Sequence, residues 1–156
     1  MTDTTYDVRA ERILNAPPED VFDVYTDPVA GQTIFSGGRD WLVDVTCDLH
    51  VDGLWTIVSG PPNSQPYREV NQFIEIARPT RLAFKSTLEV PGGPKIVRKV
   101  DVTFERTPGD RTFMTIAQGG FPNREYRDQF EAALGSVFDH LEALAKVRRE
   151  RAQSDS

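Results

Sequence analysis

The feature that most constrains the fold is one long amphipathic segment that follows a series of short segments of alternating polarity. From about Arg124, apolar residues recur at spacings of three and four, the period of an α-helix with one buried face. Between residues 40 and 119, proline and glycine separate segments in which apolar and polar residues alternate, as in antiparallel strands. Such a meander leaves one face uncovered, so the sequence predicts an α+β fold in which the long helix covers the sheet.

Two short helices are predicted between the first strand and the others. Residues 6–15 have strand character, and residues 17–20 (Pro-Pro-Glu-Asp) are typical of a helix start, because proline is tolerated and acids are favourable in a first turn. A second short helix is predicted over residues 29–35. The predicted order is therefore one strand, two short helices, about six strands and one long helix.

Length and composition are those of one globular domain, which we expect over residues 1–147, with a polar C-terminal tail over residues 148–156. Eighteen Lys and Arg against twenty-four Asp and Glu give a net charge of −6. This disfavours a nucleic-acid partner, since phosphate contacts need clustered cations. No apolar run reaches the roughly 18 residues of a membrane helix, so membrane insertion is not expected.

No catalytic or metal site is evident from the sequence. Cys47 is the single cysteine, which fits a reducing compartment, and its apolar strand neighbours predict a buried thiol without nucleophilic activation. His50 and His140 have no Cys or His at metal-ligand spacing. We therefore assign no catalytic residue, metal or cofactor, and leave open whether the chain is an enzyme, with a non-catalytic role favoured. Residues 1–6 do not resemble a secretory signal, and the expected location is cytoplasmic.

Eight short motifs occur in an order and spacing that cover nearly the whole chain. They are Arg12-Ile13, Ala16-Pro17, Val21-Phe22, Tyr25-Thr26-Asp27-Pro28, Gly53 with Trp55, Glu75 to Leu82, Thr112 with Gln118, and Gly120-Phe121-Pro122. Together they resemble the START-like, or SRPBCC, superfamily, and within it the branch named after the activator of the heat-shock protein 90 ATPase. The resemblance implies a helix-grip (START/Bet v-like) fold, in which a curved antiparallel sheet grips a long C-terminal helix around a cavity.

The sequence departs from the usual pattern of that branch at several positions. A tryptophan is usual where Ile34-Phe35 stand, and a Gly-Trp pair where Gly135-Ser136 stand. Without an indole at Ser136 the cavity could be larger, or Phe130 or Phe138 could fill the space. The sequence leaves both possibilities open.

The resemblance implies three kinds of function, because superfamily members include ligand carriers, enzymes and chaperone regulators. The first is a small-molecule binding protein that holds an apolar or aromatic, lipid- or polyketide-like ligand between sheet and helix, as a monomer or homodimer. The second is a polyketide cyclase/dehydratase-like or hydrolase-like enzyme. The third is a chaperone ATPase-regulating or stress-response interaction protein, ranked lowest because stand-alone members need not share the eukaryotic activator's role.

Alternation within the strands and the apolar face of the helix give the candidate ligand-binding residues. They are Trp41, Trp55, Ile57, Tyr67, Glu69, Phe73, Phe84, Arg98, Val100, Met114, Gln118, Phe130, Leu134 and Val137. Packing as ordinary core is the alternative for each apolar member of this set.

Arg98 is the most informative candidate, since it shares strand parity with Ile96 and Val100. An unpaired buried polar group costs on the order of 1–3 kcal/mol, so the guanidinium needs a partner. At the cavity mouth it could bind a ligand carboxylate or phenolate through two hydrogen bonds. Alternatively it reaches solvent or pairs with Glu69 or Glu75, which are predicted on one face of their strand. Either carboxylate is the candidate general base of an enzyme.

Overall fold

Seven antiparallel strands and three helices form the described part of the chain, residues 6–154 of a computed structural model. In chain order they are β1 (Tyr6–Leu14), α1 (Pro18–Tyr25), α2 (Pro28–Ile34), β2 (Leu42–Cys47), β3 (Leu54–Gly60), β4 (Tyr67–Ala77), β5 (Arg81–Glu89), β6 (Lys95–Thr107), β7 (Arg111–Phe121) and α3 (Arg124–Ser154). The predicted order and the α+β helix-grip architecture are confirmed. None of the helices in residues 6–154 combines the length and apolar character needed to cross a membrane.

The sheet runs in the order β1-β7-β6-β5-β4-β3-β2, so the first strand pairs with the last and β1 and β2 form the two edges. Helix α3 packs mainly against β1 and α1, with smaller contacts to α2 and β7. It continues to Ser154, so residues 148–154 of the predicted polar tail are helical and exposed. Residues 1–5, on which the expectation about a secretory signal largely rests, lie outside the described residues, and the domain boundary stays a prediction.

One end of the sheet is filled by aromatic side chains beneath α1. Trp55 is 1% exposed, stacks on Phe73 with centroids 5.9 Å apart, and meets Phe84 edge-on at 5.5 Å. Tyr25 of α1 contacts the same indole at 5.1 Å, and Phe22 of α1 meets Phe104 at 5.2 Å. This end is a close-packed core.

A bulge in β4 corrects one prediction from strand parity. The register with β5 shifts between Phe73 and Glu75, so the residues beyond it face the opposite way from simple alternation. Glu75 therefore does not share a face with Glu69. It lies on the outer face, where its carboxylate is 3.0 Å from the Arg81 guanidinium and its side chain is about half exposed.

Gly53→Ala should lower the free energy of unfolding by about 2–3 kcal/mol, because the turn leaves no room for a side chain. A Cβ at Gly53 would lie 2.3 Å from the Asp48 carbonyl oxygen. Gly92→Ala is the control: its φ is +68° but a Cβ there meets nothing within 4 Å, so only the backbone cost of about 1 kcal/mol applies. Urea unfolding at unchanged m-value measures the free energy of unfolding of both variants. Equal losses of stability in the two variants would contradict the close packing described at Gly53.

Candidate binding cavity

A cavity of about 600 Å³ lies between the sheet and the N-terminal half of α3. Its wall comes from β3 to β7, from α1 and α2, from the segment after α2, and from α3. Ligand cavities in proteins typically measure about 300–1,000 Å³, so the space is of the size that holds a small molecule. Ser136 and Phe130 both lie on this wall, and Phe138 is buried in the core and does not belong to it, so the cavity is open beside Ser136.

Most of the predicted ligand-binding residues lie on this wall. They are Trp41, Trp55, Ile57, Tyr67, Glu69, Phe84, Arg98, Val100, Gln118, Phe130, Leu134 and Val137. Phe73 and Met114 have the predicted inward orientation but are fully buried away from the cavity. Phe73 lies against Trp55, and Met114 pairs with Phe104 at the end of the sheet covered by α1. Strand parity gives the inward face; it does not tell which part of that face is covered by a helix.

Several wall residues were not among the sequence candidates. Tyr25, Ile34 and Phe35 come from the two short helices and the residue after them, which alternation in the strands cannot identify. The resemblance offered one signal, since Ile34-Phe35 occupy the place where the branch usually carries an aromatic indole. The remainder lie in the segment after α2, in or just after a strand, or on α3: Gly37, Arg39, Ser59, Asn71, Leu88, Val90, Tyr126, Gln129, Ala132, Ala133 and Ser136.

The floor of the cavity carries a polar network centred on Arg98, which is 3% exposed. Its Nη1 donates to Gln118 Oε1 at 2.6 Å, and its Nη2 donates to Ser86 Oγ at 2.6 Å and to Glu69 Oε1. The second oxygen of Glu69 accepts from Asn71 Nδ2 at 3.1 Å. The sequence left open whether Arg98 binds a ligand, reaches solvent or pairs with Glu69 or Glu75, and the structure shows that it pairs with Glu69. Arg98 is buried on the cavity floor and does not lie at the mouth of the cavity.

The strand register places three of these polar side chains, Asn71, Ser86 and Arg98, in one row across the sheet together with Trp55. Trp55 pairs with Asn71, Asn71 with Ser86, and Ser86 with Arg98, so each neighbouring strand contributes one member to the same face. Gly120 lies beside the end of this row, with φ +111°, and a Cβ there would be 2.6 Å from the Val97 carbonyl oxygen. The glycine thus permits β7 to approach β6 closely next to Arg98.

Among the described residues, three of the four buried side-chain polar atoms without a hydrogen-bond partner lie on this row, and the fourth, Thr107 Oγ1, lies at the end of β6. Trp55 Nε1, Asn71 Oδ1 and Arg98 Nε are buried and have no hydrogen-bond partner in the described part of the chain. Native interiors leave few such atoms, because each one costs stability. Their accumulation in one wall is typical of a site retained for function rather than for packing.

Tyr25 adds a neutral hydroxyl to the wall. Burial raises the pKa of its phenol above the ordinary value, and the nearby Glu69 carboxylate raises that pKa further, while Arg98 lowers it by a smaller amount. The side chain is 5% exposed. It therefore stays protonated at physiological pH and cannot serve as an anionic base.

Cys47 should react with thiol reagents much more slowly than a free cysteine at pH 8. The side chain is half-buried, not fully buried as the sequence predicted. This partial burial, with a smaller contribution from Asp48, raises the pKa of the thiol to about 11, so the reactive thiolate is scarce below that pH. Labelling by a chromogenic disulfide reagent, compared in buffer and in denaturant, measures this. A native rate equal to the denatured rate would show an accessible, unperturbed thiol.

In the described residues no group of three or more His, Cys, Asp or Glu side chains is placed to hold a metal ion.

Comparison with known proteins places the chain among related sequences and folds. Residues 15–146 match the profile of a family described as Activator of Hsp90 ATPase homolog 1-like protein. A Chromobacterium violaceum protein is 18% identical over 89% of this chain and 96% of its own, with a TM-score of 0.77. A Rhizobium leguminosarum protein is 21% identical over 92% and 95%, with a TM-score of 0.76. The AHSA1-like protein from Aeromonas hydrophila is 20% identical over 92% and 94%, with a TM-score of 0.72.

These structural matches establish the fold. At such low sequence identities they do not show which ligand the chain binds or which activity it has. A search of curated proteins found no match to this sequence. The match to the family profile covers most of the chain, including β2 to β7 and most of α3.

Proposed function

The chain belongs to the Activator of Hsp90 ATPase homolog 1-like protein family, the branch that the sequence motifs indicated, and from this membership we propose that it binds an apolar or aromatic small molecule. The observation that carries the proposal is the cavity of about 600 Å³ between sheet and α3. A molecule enclosed there gains about 25 cal/mol for each Å² of apolar surface removed from water. A cytoplasmic location, and a monomer or homodimer, complete the proposal.

Aromatic side chains make the wall suitable for a flat or extended apolar ligand. Trp55 and Phe84 lie on the sheet side, and Phe130 lies on the helix side. Trp41 stacks on Tyr67 with centroids 5.7 Å apart and planes inclined by 14°. Broad apolar surfaces with a few polar groups are the usual composition of small-molecule sites.

The two alternatives receive less support from the geometry. An enzyme would need several catalytic groups placed together, but Glu69, already paired with Arg98, is the one carboxylate on the described wall, and Glu75 lies on the outer face. The family's name refers to the Hsp90 ATPase, and a chaperone partner therefore stays the third possibility. An interaction role does not require a cavity with unpaired polar atoms on its floor.

Native mass spectrometry after mild purification tests the proposal, with a co-purified small molecule as the expected result. A thermal unfolding screen provides the second readout, using N-phenylnaphthylamine as a neutral aromatic probe. Because a ligand that binds only the native state stabilises it, a concentration of one hundred times Kd should add about 2.7 kcal/mol. No co-purified molecule and no shift with any aromatic or lipid-like compound, together with recovery of a chaperone, would contradict the proposal.

A further inference from the structure

The charges on the cavity floor are already balanced before any ligand arrives. Among the described wall residues, Arg39, Glu69 and Arg98 are the charged ones. Glu69 and Arg98 form an ion pair, and Arg39 is an exposed residue whose guanidinium lies 3.8 Å above the Trp41 ring. The floor is therefore close to neutral, and the exposed cation of Arg39 is screened by water and salt.

The Nη groups of the Arg98 guanidinium are already engaged, and its Nε, which has no partner among the described residues, is buried. The Arg98 side chain is 2% exposed, and its two Nη groups donate to Gln118, Ser86 and Glu69. The Phe130 ring lies over the guanidinium, 4.5 Å from the centroid. A ligand carboxylate would have to displace Glu69 from this fork and bury two carboxylates around one cation, which is an unfavourable exchange.

Glu69 is the charged group that the floor presents to the cavity. Its side chain is 21% exposed, about ten times the 2% of the Arg98 side chain. A carboxylate only accepts hydrogen bonds, so the ligand atom that meets it must donate one. The neighbouring Asn71 Oδ1 is also an acceptor without a partner among the described residues, but Asn71 is fully buried, so Glu69 is the more accessible acceptor.

We infer that the cavity selects a neutral ligand whose polar end donates a hydrogen bond, a phenol or an alcohol, and rejects the carboxylate of the same ring skeleton. This inference rests on the proposed function, because it specifies the ligand class of the same cavity. The donated bond runs to Glu69, and the aromatic wall holds the remainder of the molecule. From the sequence, Arg98 was a candidate to bind an acidic ligand, and the neutral hydrogen-bond donor is proposed in place of that acidic ligand.

Competition against bound N-phenylnaphthylamine tests the inference with three compounds of one skeleton: naphthol, naphthalene and naphthoate. Wild-type protein should bind naphthol about tenfold tighter than naphthalene, since a hydrogen bond to a charged group is lost in the hydrocarbon. Naphthoate should bind more weakly than naphthalene. Equal binding of naphthol and naphthalene would overturn the role of the donor, and naphthoate binding as tightly as naphthol would overturn the charge selection.

Glu69→Gln provides the sharper test, because it removes the competing carboxylate and leaves the Arg98 charge uncompensated. The order should reverse, with naphthoate about tenfold tighter than naphthol. Glu75→Gln is the matched control: the same substitution on the same strand, in an ion pair on the outer face, should leave the wild-type order unchanged. Adding Arg98→Met to Glu69→Gln should abolish the gained naphthoate affinity.

The outcomes separate this inference from the function on which it rests. If N-phenylnaphthylamine and all three competitors fail to bind, both the binding function and the ligand class are wrong. If the probe binds and the order does not reverse in Glu69→Gln, the function stands and the inference is overturned.

Discussion

Arg98→Met should lower the free energy of unfolding by about 3 kcal/mol, because it leaves partly buried acceptors without their cation. Gln118, Ser86 and Glu69 all lose a hydrogen bond from the guanidinium. The Glu69 carboxylate is the most expensive of these, although its 21% exposure lets water offset part of the loss, which places the effect at the lower end of the range for broken buried pairs. Urea unfolding followed by circular dichroism, at unchanged m-value, measures the change.

Arg81→Met is the matched control for this prediction. Arg81 also holds two acids, Glu75 at 3.0 Å and Asp101 at 2.6 Å, but its side chain is 47% exposed. Exposed pairs contribute about 0–1 kcal/mol, so the control should lose little stability. Combining Arg98→Met with Glu69→Gln should recover part of the loss by removing the unpaired charge. If Arg98→Met cost no more than Arg81→Met, the floor network would not stabilise the fold as described.

Ser136→Trp should reduce the affinity for a cavity ligand by about thirtyfold or more, equivalent to roughly 2 kcal/mol. Ser136 lies on the cavity wall in the middle of α3, where an indole would extend into the free volume. The substitution removes a 3.3 Å contact between Ser136 Oγ and His140 Nδ1, and adds a large apolar side chain against an apolar wall. The unfolding midpoint should therefore stay unchanged or rise, since filling a cavity restores packing.

Ala143→Trp separates this effect from a general effect of tryptophan on the helix. Ala143 is exposed on α3 and does not belong to the cavity wall, so its replacement should leave ligand affinity within about twofold of wild type. Thermal unfolding with and without N-phenylnaphthylamine gives stability and affinity in one experiment. Ser136→Trp that retains wild-type affinity would mean that the ligand is held elsewhere.

The order of elements could be predicted from the sequence because two periods dominate it. Alternation placed Trp55, Ile57 and Phe84 on the inner face, and helical spacing placed Leu134 and Val137 on the inward face of α3, where Leu134 is buried and Val137 is half-buried. These patterns arise from backbone geometry alone, so they survive without knowledge of the contacts. The family resemblance was confirmed by the match over residues 15–146.

The features that the sequence could not supply depend on contacts between distant segments. The bulge between Phe73 and Glu75 inverts the parity of β4, and nothing in the local sequence marks it. Whether Arg98 faced a ligand or Glu69 depended on the register of β4, β5 and β6, which only the assembled sheet fixes. The part of the sheet's inner face that lines the cavity is set by the positions of α1 and α3, which the sequence patterns do not specify.

Equilibrium fluorescence titration with N-phenylnaphthylamine tests the central claim, that the space between sheet and α3 holds a small molecule. Wild-type protein and Ala143→Trp should show a saturable increase in emission with one probe molecule per chain, because the probe fluoresces more strongly when it leaves water for an apolar wall. Ser136→Trp should bind about thirtyfold or more weakly, so that its titration does not saturate over the same concentrations. Absence of saturable binding to wild type, or equal binding to Ser136→Trp, would contradict the account.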